Sequence, residues 1–150
     1  MDRAVVVGVG NRMKGDDAVG CLVADELTAP EKAFQAKVYD AGTAPENYIE
    51  PIVELDPDRV LFIDACAFGG EPGEFRLFGR EEMDRLAAGL VSTHTLPLSM
   101  TAALLGQQTK ATIQLLGIQP QSLEFDAGLS EPVSRAMPGI VEFVKVWVAG

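Results

Sequence analysis

The sequence predicts an α/β fold, a three-layer sandwich in which a mostly parallel central sheet of about five strands carries helices on both faces. Three observations predict it. Short runs of β-branched residues alternate along the chain with segments whose apolar residues recur every three or four positions. Glycine and proline mark the ends of most of these segments. Because the 150 residues, 47% of them apolar, contain no internal repeat or long linker, we expect residues 1–150 to form one domain.

The first half of the chain is predicted to contain three strands and two helices. The apolar run at residues 4–9 leads into a glycine-rich turn and is typical of a strand buried on both faces. A helix over residues 17–27 follows, and residues 37–41 form the second strand. The next helix opens with Thr43 as its N-cap. Residues 60–65 repeat the pattern of the first strand, so the alternation predicts right-handed crossovers in a mostly parallel sheet.

The second half of the chain adds two strands and three helices. In chain order these are a short strand, two helices, a strand and a long helix, at residues 75–78, 81–90, 98–105, 112–118 and 130–148. The short strand lies outside the strand–helix alternation and next to glycine-rich turns, so it can join the sheet antiparallel. Gly106 is predicted to end a helix, and Pro138 predicts a kink or a break at Met137 in the last one.

The charge of the chain narrows the classes of partner. Its 22 acidic and 12 basic side chains give a net charge of −10. Such a field repels nucleic acid and anionic lipid surfaces, so we expect neither nucleic acid nor a membrane as a partner. The N-terminus lacks the signal-peptide pattern, and no apolar run reaches the roughly 18 residues that span a bilayer. The two cysteines are too few for a disulfide framework, and together these features predict a cytoplasmic protein.

One histidine and two aspartates are the candidates for a metal site. His94 is the only histidine, in a loop at residues 92–97, whereas Asp17 follows the first strand and Asp64 ends the third. Because the carboxyl ends of parallel strands share one edge of a sheet, where ligands bind, we expect both acids at that edge. Two carboxylates and an imidazole are suitable ligands for a divalent ion. Considered alone, Asp64 is also consistent with a strand-terminal aspartate that accepts hydrogen bonds from loop amides. Considered alone, His94 is also consistent with a structural histidine in a loop or in the core.

The glycine-rich turn resembles two nucleotide-binding motifs and matches neither. Residues 8–13 follow the dinucleotide pattern, but Met13 stands where a third glycine would let helix and strand pack closely. Residues 10–15 have the P-loop spacing, but Asp16 and Asp17 replace the lysine and the hydroxyl residue that contact phosphate and magnesium. Two carboxylates repel a phosphate, so nucleotide binding is disfavoured. Asp16 is predicted to cap the first helix instead.

Motifs along almost the whole chain resemble those of the maturation endopeptidases of nickel-iron hydrogenases. The matching segments lie, in order, at residues 8–11, 15–20, 40–47, 62–65, 92–94 and 116–120. Each is short, and their order and spacing together carry the resemblance. The Gly-Thr-Ala-Pro-Glu-Asn sequence at residues 42–47 and the aspartate at position 17 are most similar to the branch that serves hydrogenase-3-type or coenzyme-F420-reducing enzymes.

The resemblance implies an activity and a set of site residues. The family removes a short C-terminal peptide from the hydrogenase large-subunit precursor after nickel has been inserted. By this resemblance, Asp17, Asp64 and His94 are the metal-contacting and catalytic residues. The nickel is supplied by the precursor, which is the expected partner, and no permanently bound cofactor is expected.

A second implication concerns the loop after the second strand. Asp40, Gly42 and Thr43 lie on the same predicted edge and are the candidates for holding the precursor, although the loop departs from the Gly-Gly version of some relatives. Two other functions stay open. A metallochaperone or a substrate-binding module without hydrolytic activity would use the same metal ligands. An aspartic-protease dyad is disfavoured, because neither acid lies in an Asp-Thr/Ser-Gly sequence and a shared proton requires carboxylates in contact.

Overall fold

The centre of the protein is a five-stranded sheet. The computed structural model describes residues 2–29, 34–87 and 97–150, and the elements below lie in those ranges. The strands are β1 (Ala4–Val9), β2 (Lys37–Gly42), β3 (Arg59–Ala65), β4 (Phe75–Phe78) and β5 (Thr112–Ile118). Their order is β2-β1-β3-β5-β4, with β4 antiparallel to β5 and the other pairs parallel. The predicted sheet is confirmed, including its antiparallel strand.

Helices cover both faces of this sheet. They are α1 (Val19–Leu27), α2 (Ile49–Leu55), α3 (Arg80–Ala87), α4 (Leu98–Gln108) and α5 (Glu131–Ala149), and 3₁₀ turns at Gly15–Ala18 and Pro45–Tyr48 precede α1 and α2. Helices α1 and α5 pack on the face that carries Val6 and Leu61, and α2, α3 and α4 on the face that carries Val7 and Phe62. Successive strand residues point to opposite faces, so strands covered on both faces are apolar throughout. The three-layer sandwich is confirmed.

Two predicted helix boundaries are wrong. Ala44, not Thr43, precedes the turn Pro45–Tyr48, and no side chain caps that turn. Proline at the first position has no N–H group to satisfy, which lessens the need for a cap. Helix α4 continues past Gly106, where an added Cβ would lie 2.3 Å from Nη1 of Arg80. This glycine therefore makes room for a side chain of α3 instead of ending the helix.

Helix α5 runs without interruption from Glu131 to Ala149, although Pro138 lies inside it. The predicted break at Met137 is therefore wrong. A proline in a helix interior costs about 3 kcal/mol or more. Val133 before it and Ile140 after it are fully buried against the sheet, and each such side chain contributes about 1.5–3 kcal/mol on burial. Packing on both sides of the proline offsets its cost. Among the described helices, α5 included, none is both long and apolar enough to cross a membrane.

The strand order places a topological switch point between β1 and β3, and at such a point ligands of α/β sheets bind in a crevice at the carboxyl edge. The chain leaves β1 toward β2 on one side, and β3 lies on the other, so the connections diverge at this point. Gly8 of β1 pairs with Asp40 of β2 and with Ile63 of β3. Asp64 is the next residue of β3. The sheet thereby aligns the ends of three neighbouring strands, two of which carry a predicted site acid.

Candidate functional site

The turn after β1 holds Asp17 against the sheet. Gly10 has a φ of 147°, and an added Cβ there would lie 1.8 Å from the carbonyl oxygen of Asp17. Only glycine permits so close an approach of two backbone segments. Asp17 is 3% exposed, and the Asn11 N–H donates a hydrogen bond to its Oδ2 at 3.0 Å. The loop therefore fixes the orientation of this carboxylate at the carboxyl edge of the sheet.

Asp64 occupies the carboxyl end of β3. It is 6% exposed. Since strand residues alternate between faces, Asp64 shares the face of Phe62, which α2, α3 and α4 cover. Burial, and then the charge of Asp64, raise the pKa of the Cys66 thiol to about 11. The thiol therefore keeps its proton at neutral pH, and a protonated thiol is neither a nucleophile nor a metal ligand.

Gly20 brings the start of α1 into direct contact with both strands of the crevice. An added Cβ at Gly20 would lie 2.2 Å from the carbonyl oxygen of Ile63 and 2.4 Å from that of Val9. This is the close packing of helix and strand that the dinucleotide pattern assigns to a third glycine, and here it occurs seven residues after Met13. The sequence contained the glycine, but its role depends on Ile63 of β3, more than 40 residues farther along the chain.

Asp17 and Asp64 therefore lie on the same edge, as predicted. The 3₁₀ turn that contains Asp17 contacts β3. His94 lies outside the described residues, so its predicted place beside the two acids stays a prediction. Within residues 2–29, 34–87 and 97–150, no group of three or more His, Cys, Asp or Glu side chains is arranged to hold a metal ion. The predicted metal site needs His94 as its third ligand, and it also stays a prediction.

Arg12 connects the turn after β1 to α1 and to β2, which the sequence did not predict. Its guanidinium donates to both carboxylate oxygens of Asp25 at 2.8 Å and also to Asp40. Burial tends to raise the pKa of the Asp40 carboxyl, but hydrogen bonds from Arg12 and Cys21 outweigh it and hold the pKa below its usual value. Asp40 is therefore ionised at neutral pH and faces a cation within the protein.

The other two residues predicted to hold the precursor complete this edge. The carbonyl oxygen of Gly42 accepts a hydrogen bond from the Gly10 N–H at 2.9 Å, which joins the loops after β1 and β2. Gly42 has a φ of 56°, and among the described residues other than its two chain neighbours no atom lies within 4 Å of the place a Cβ would take. Thr43 follows it and is partly exposed. Asp40, Gly42 and Thr43 thus lie beside the crevice, and their contact with a substrate stays a prediction.

Asp16 does not cap the first helix, so that prediction is wrong. It is 0% exposed and lies inside the 3₁₀ turn. Its carboxylate accepts hydrogen bonds from the N–H groups of Gln121, Ser122 and Ser130 and from the Ser130 hydroxyl, at distances from 2.7 to 3.1 Å. Asp16 fastens the loop between β5 and α5 to the turn that carries Asp17. No local pattern indicates this role, since the partners are 105 to 114 residues away.

Comparison with known proteins identifies similar sequences over most of the chain. The sequence model of one family, described as hydrogenase maturation protease (HycI), matches residues 21–146. The hydrogenase 3 maturation protease of Escherichia coli is 34% identical over 143 residues, which are 95% of this chain and 89% of that protein. A putative hydrogenase maturation protease of Methanocaldococcus jannaschii is 35% identical over 130 residues, 82% of this chain and 75% of its own.

Solved structures agree with the sequence comparison. The crystal structure of a hydrogenase maturation protease, HycI, from Thermococcus kodakarensis superimposes with a TM-score of 0.85 at 36% identity, covering 99% of this chain and 94% of that one. The solution structure of the endopeptidase HycI from Escherichia coli gives a TM-score of 0.84 at 33% identity, covering 97% and 90%. Fold and sequence thus indicate the same group of proteins.

Proposed function

The chain belongs to the hydrogenase maturation protease family, and from this membership we propose that it is an endopeptidase acting on a nickel-iron hydrogenase. It removes a C-terminal peptide from the large-subunit precursor after nickel has been inserted. The observation that carries this proposal is that two almost fully buried aspartates, Asp17 and Asp64, lie at the same carboxyl edge of a fold shared with maturation proteases.

In this proposal the nickel arrives as part of the substrate and is recognised by Asp17, Asp64 and His94. Carboxylate oxygens and an imidazole nitrogen suit a divalent ion that already carries thiolate ligands from the precursor. The two aspartates support this role because they are 3% and 6% exposed. Electrostatic attraction to a cation is stronger at a poorly hydrated site than in water. A precursor without nickel would lack this attraction, so nickel insertion would precede cleavage.

In this proposal the nickel ion and the side chains of the protease have different roles in peptide-bond hydrolysis. A nickel ion held by the precursor can polarise the scissile carbonyl. Asp17 or Asp64 would position the attacking water and accept its proton, which is the task of a general base within hydrogen-bond reach. Burial of both acids excludes bulk water from the site. The proposal therefore assigns orientation and proton transfer to the protease.

The loop after β2 would hold the polypeptide next to the cleavage site. Gly42 is open toward the outside among the described residues, so an extended peptide can approach its backbone. The ionised carboxylate of Asp40 lies beside it, and Thr43 adds a hydroxyl group. Because Arg12 binds Asp40, we propose that this carboxylate orients the loop and that Gly42 and Thr43 make the direct contacts with the precursor.

Replacement of Asp64 by asparagine tests the proposal. Purified large-subunit precursor is incubated with the protease, with and without prior nickel loading, and the products are weighed by mass spectrometry. The wild-type chain is expected to shorten the nickel-loaded precursor only, and Asp64→Asn is expected to fold normally and shorten neither. The exposed Asp84 on α3, changed in the same way, is the matched control and should retain full activity. Full activity of Asp64→Asn would refute the assignment.

The same experiment separates the alternative function. A metallochaperone or a substrate-binding module would bind the precursor, and the mass of the large subunit would stay unchanged with the wild-type chain. No contact in the described residues favours this alternative over proteolysis, whereas the family membership favours a protease.

A further inference from the structure

The side chain of Arg12 joins three elements beside the candidate site. It projects from the turn after β1, and its Nη1 and Nη2 donate to the two carboxylate oxygens of Asp25 on α1 at 2.8 Å. Nη2 also donates to Oδ2 of Asp40 near the end of β2. A guanidinium carries its N–H donors in one fixed plane, so it can hold two carboxylates in a defined geometry, which the ammonium group of a lysine cannot do. Arg12 thus connects the turn, the helix and the strand.

These ion pairs add little to the stability of the fold. The side chain of Arg12 is 43% exposed, that of Asp25 53% and that of Asp40 39%. Ion pairs at such exposure are weak, because water and salt screen the charges and because two long side chains must be held in one geometry. The arrangement therefore has to be explained by what it holds in place.

The Asp40 carboxylate extends the connection to the loop that is proposed to hold the precursor. While its Oδ2 is bound by the guanidinium, its Oδ1 accepts a hydrogen bond from the Gly42 N–H at 3.3 Å. The pairing register between β1 and β2 shifts after Asp40, so that Ala41 is an extra residue without a partner on β1. Such a bulge interrupts the regular hydrogen bonding that positions a strand. The side-chain contact from Asp40 therefore helps to position Gly42.

The other end of the connection is the turn that carries Asp17. Asn11, which precedes Arg12, donates its N–H to the Asp17 carboxylate at 3.0 Å, and its side-chain oxygen accepts from the Met13 N–H at 2.9 Å. The backbone on both sides of Arg12 is thereby fixed relative to an acid of the candidate site. A change in the contact between Arg12 and the β2 loop consequently changes the position of that loop relative to Asp17.

We propose that Arg12 is a positioning residue for proteolysis: through Asp40 it holds Gly42 and Thr43 in a fixed position relative to Asp17. This inference rests on the proposed function, in which Gly42 and Thr43 contact the precursor, and it adds a residue that contacts neither substrate nor metal. A loop that is ordered before the precursor arrives loses less conformational entropy on binding. Arg12 would thus increase the affinity for the precursor without taking part in the chemistry.

Amide hydrogen exchange of the protease alone tests the positioning without any substrate. Arg12→Gln is compared with the wild-type chain, and Arg76→Gln is the matched control, because Arg76 pairs with Glu74 at comparable exposure on β4, the opposite edge strand of the sheet. The Gly42 amide should exchange about fivefold faster in Arg12→Gln, since the acceptor of its hydrogen bond has lost its own anchor. The control should leave the exchange of Gly42 unchanged. Unchanged exchange in Arg12→Gln would overturn the inference.

Cleavage of nickel-loaded precursor provides the second readout. Arg12→Gln is expected to raise KM about fivefold and to leave kcat within about twofold, because the bound precursor orders the loop again. Arg12→Lys keeps the charge but cannot hold both carboxylates, so its KM should lie between these values. Asp40→Ala should raise KM at least as much as Arg12→Gln, and the double variant should be no worse than Asp40→Ala, since Arg12 acts through Asp40. Losses that simply add would contradict the proposed connection.

The outcomes separate this inference from the proposed proteolysis. If the wild type does not shorten nickel-loaded precursor, the proteolysis fails, whereas faster Gly42 exchange in Arg12→Gln still supports the positioning of the loop. If cleavage proceeds and Arg12→Gln has the KM of the wild type, the inference is overturned and the proteolysis stands. Thermal unfolding is expected to change little in Arg12→Gln, and a melting temperature lowered by more than about 6 °C would assign Arg12 to the stability of the fold instead.

Discussion

Asparagine at position 16 should destabilise the protein strongly, although it differs from aspartate by one atom. The Asp16 carboxylate uses both oxygens as acceptors: Oδ1 accepts from the Ser130 N–H, and Oδ2 accepts from Gln121, Ser122 and the Ser130 hydroxyl. Asparagine has one oxygen and one NH₂ group. In its best orientation the oxygen keeps the three bonds of Oδ2, and the NH₂ group faces the Ser130 N–H, so that two donors oppose each other.

The cost follows from this geometry. A hydrogen bond to a charged group is worth about 1.5–3 kcal/mol, and a buried donor left without an acceptor costs about 1–3 kcal/mol. The three remaining bonds weaken as well, because a neutral acceptor replaces a charged one. Partial relaxation of the loop reduces the sum, and we expect Asp16→Asn to lower the free energy of unfolding by about 3 kcal/mol. For a chain of this length, the melting temperature should fall by about 9 °C.

Urea denaturation followed by circular dichroism measures this change. The midpoint should fall while the slope of the transition stays the same, since the surface exposed on unfolding does not change. Asp84→Asn on the exposed surface of α3 is the control and should change stability by less than about 0.5 kcal/mol. A loss of less than about 1 kcal/mol for Asp16→Asn would refute the role of this carboxylate as the anchor of the loop.

Two further predictions concern the glycines and the cysteines. Gly20→Ala should lower the free energy of unfolding by about 3 kcal/mol or more, because its Cβ would overlap backbone oxygens of two strands. Gly42→Ala has open space around its Cβ and is strained only by a φ of 56°, so it should lower the free energy of unfolding by about 1 kcal/mol. Equal losses of stability in thermal unfolding would contradict this. Burial raises the pKa of the Cys21 thiol to about 12, and burial with a nearby carboxylate raises that of Cys66 to about 11. Both thiols should resist iodoacetamide at pH 8 until the protein unfolds, and stability should decline as the pH rises from about 9 toward 12, because unfolding lets them ionise. Rapid labelling of the folded protein at pH 8 would disprove this.

Local patterns in the sequence were sufficient for most elements of the fold. The β-branched runs of β1, β3 and β5 lie where they were predicted, because a strand covered on both faces must be apolar throughout. The alternation of strands with helices implies parallel pairing, and parallel pairing places Asp17 and Asp64 at one edge of the sheet, where the structure has them. The shared edge of the two acids was predictable because it follows from the order and direction of the strands. That order can be inferred from the hydrophobic periodicity of short segments of the sequence.

Other features depended on contacts between residues far apart in the chain. Pro138 does not interrupt α5, because residues of α5 before and after it are buried against the sheet. Gly106 lies inside α4, where the side chain of Arg80 from α3 occupies the space next to it. Of the two adjacent aspartates, the sequence predicted a structural role for Asp16 and a site role for Asp17, but it gave Asp16 the wrong structural role, that of a helix cap. Only the loop more than 100 residues farther along shows that Asp16 is the anchor, which leaves Asp17 at the crevice.

The sequence by itself determined the α/β class, the family and the edge of the sheet at which the acids lie. Tertiary structure alone decided which carboxylate binds the β5–α5 loop, how Arg12 pairs with Asp40, and which apolar side chains remain exposed. The physical reason is the range of the interactions. Hydrophobic periodicity is a property of neighbouring residues, whereas hydrogen bonds of buried charges and the exposure of side chains depend on what the folded chain brings next to them.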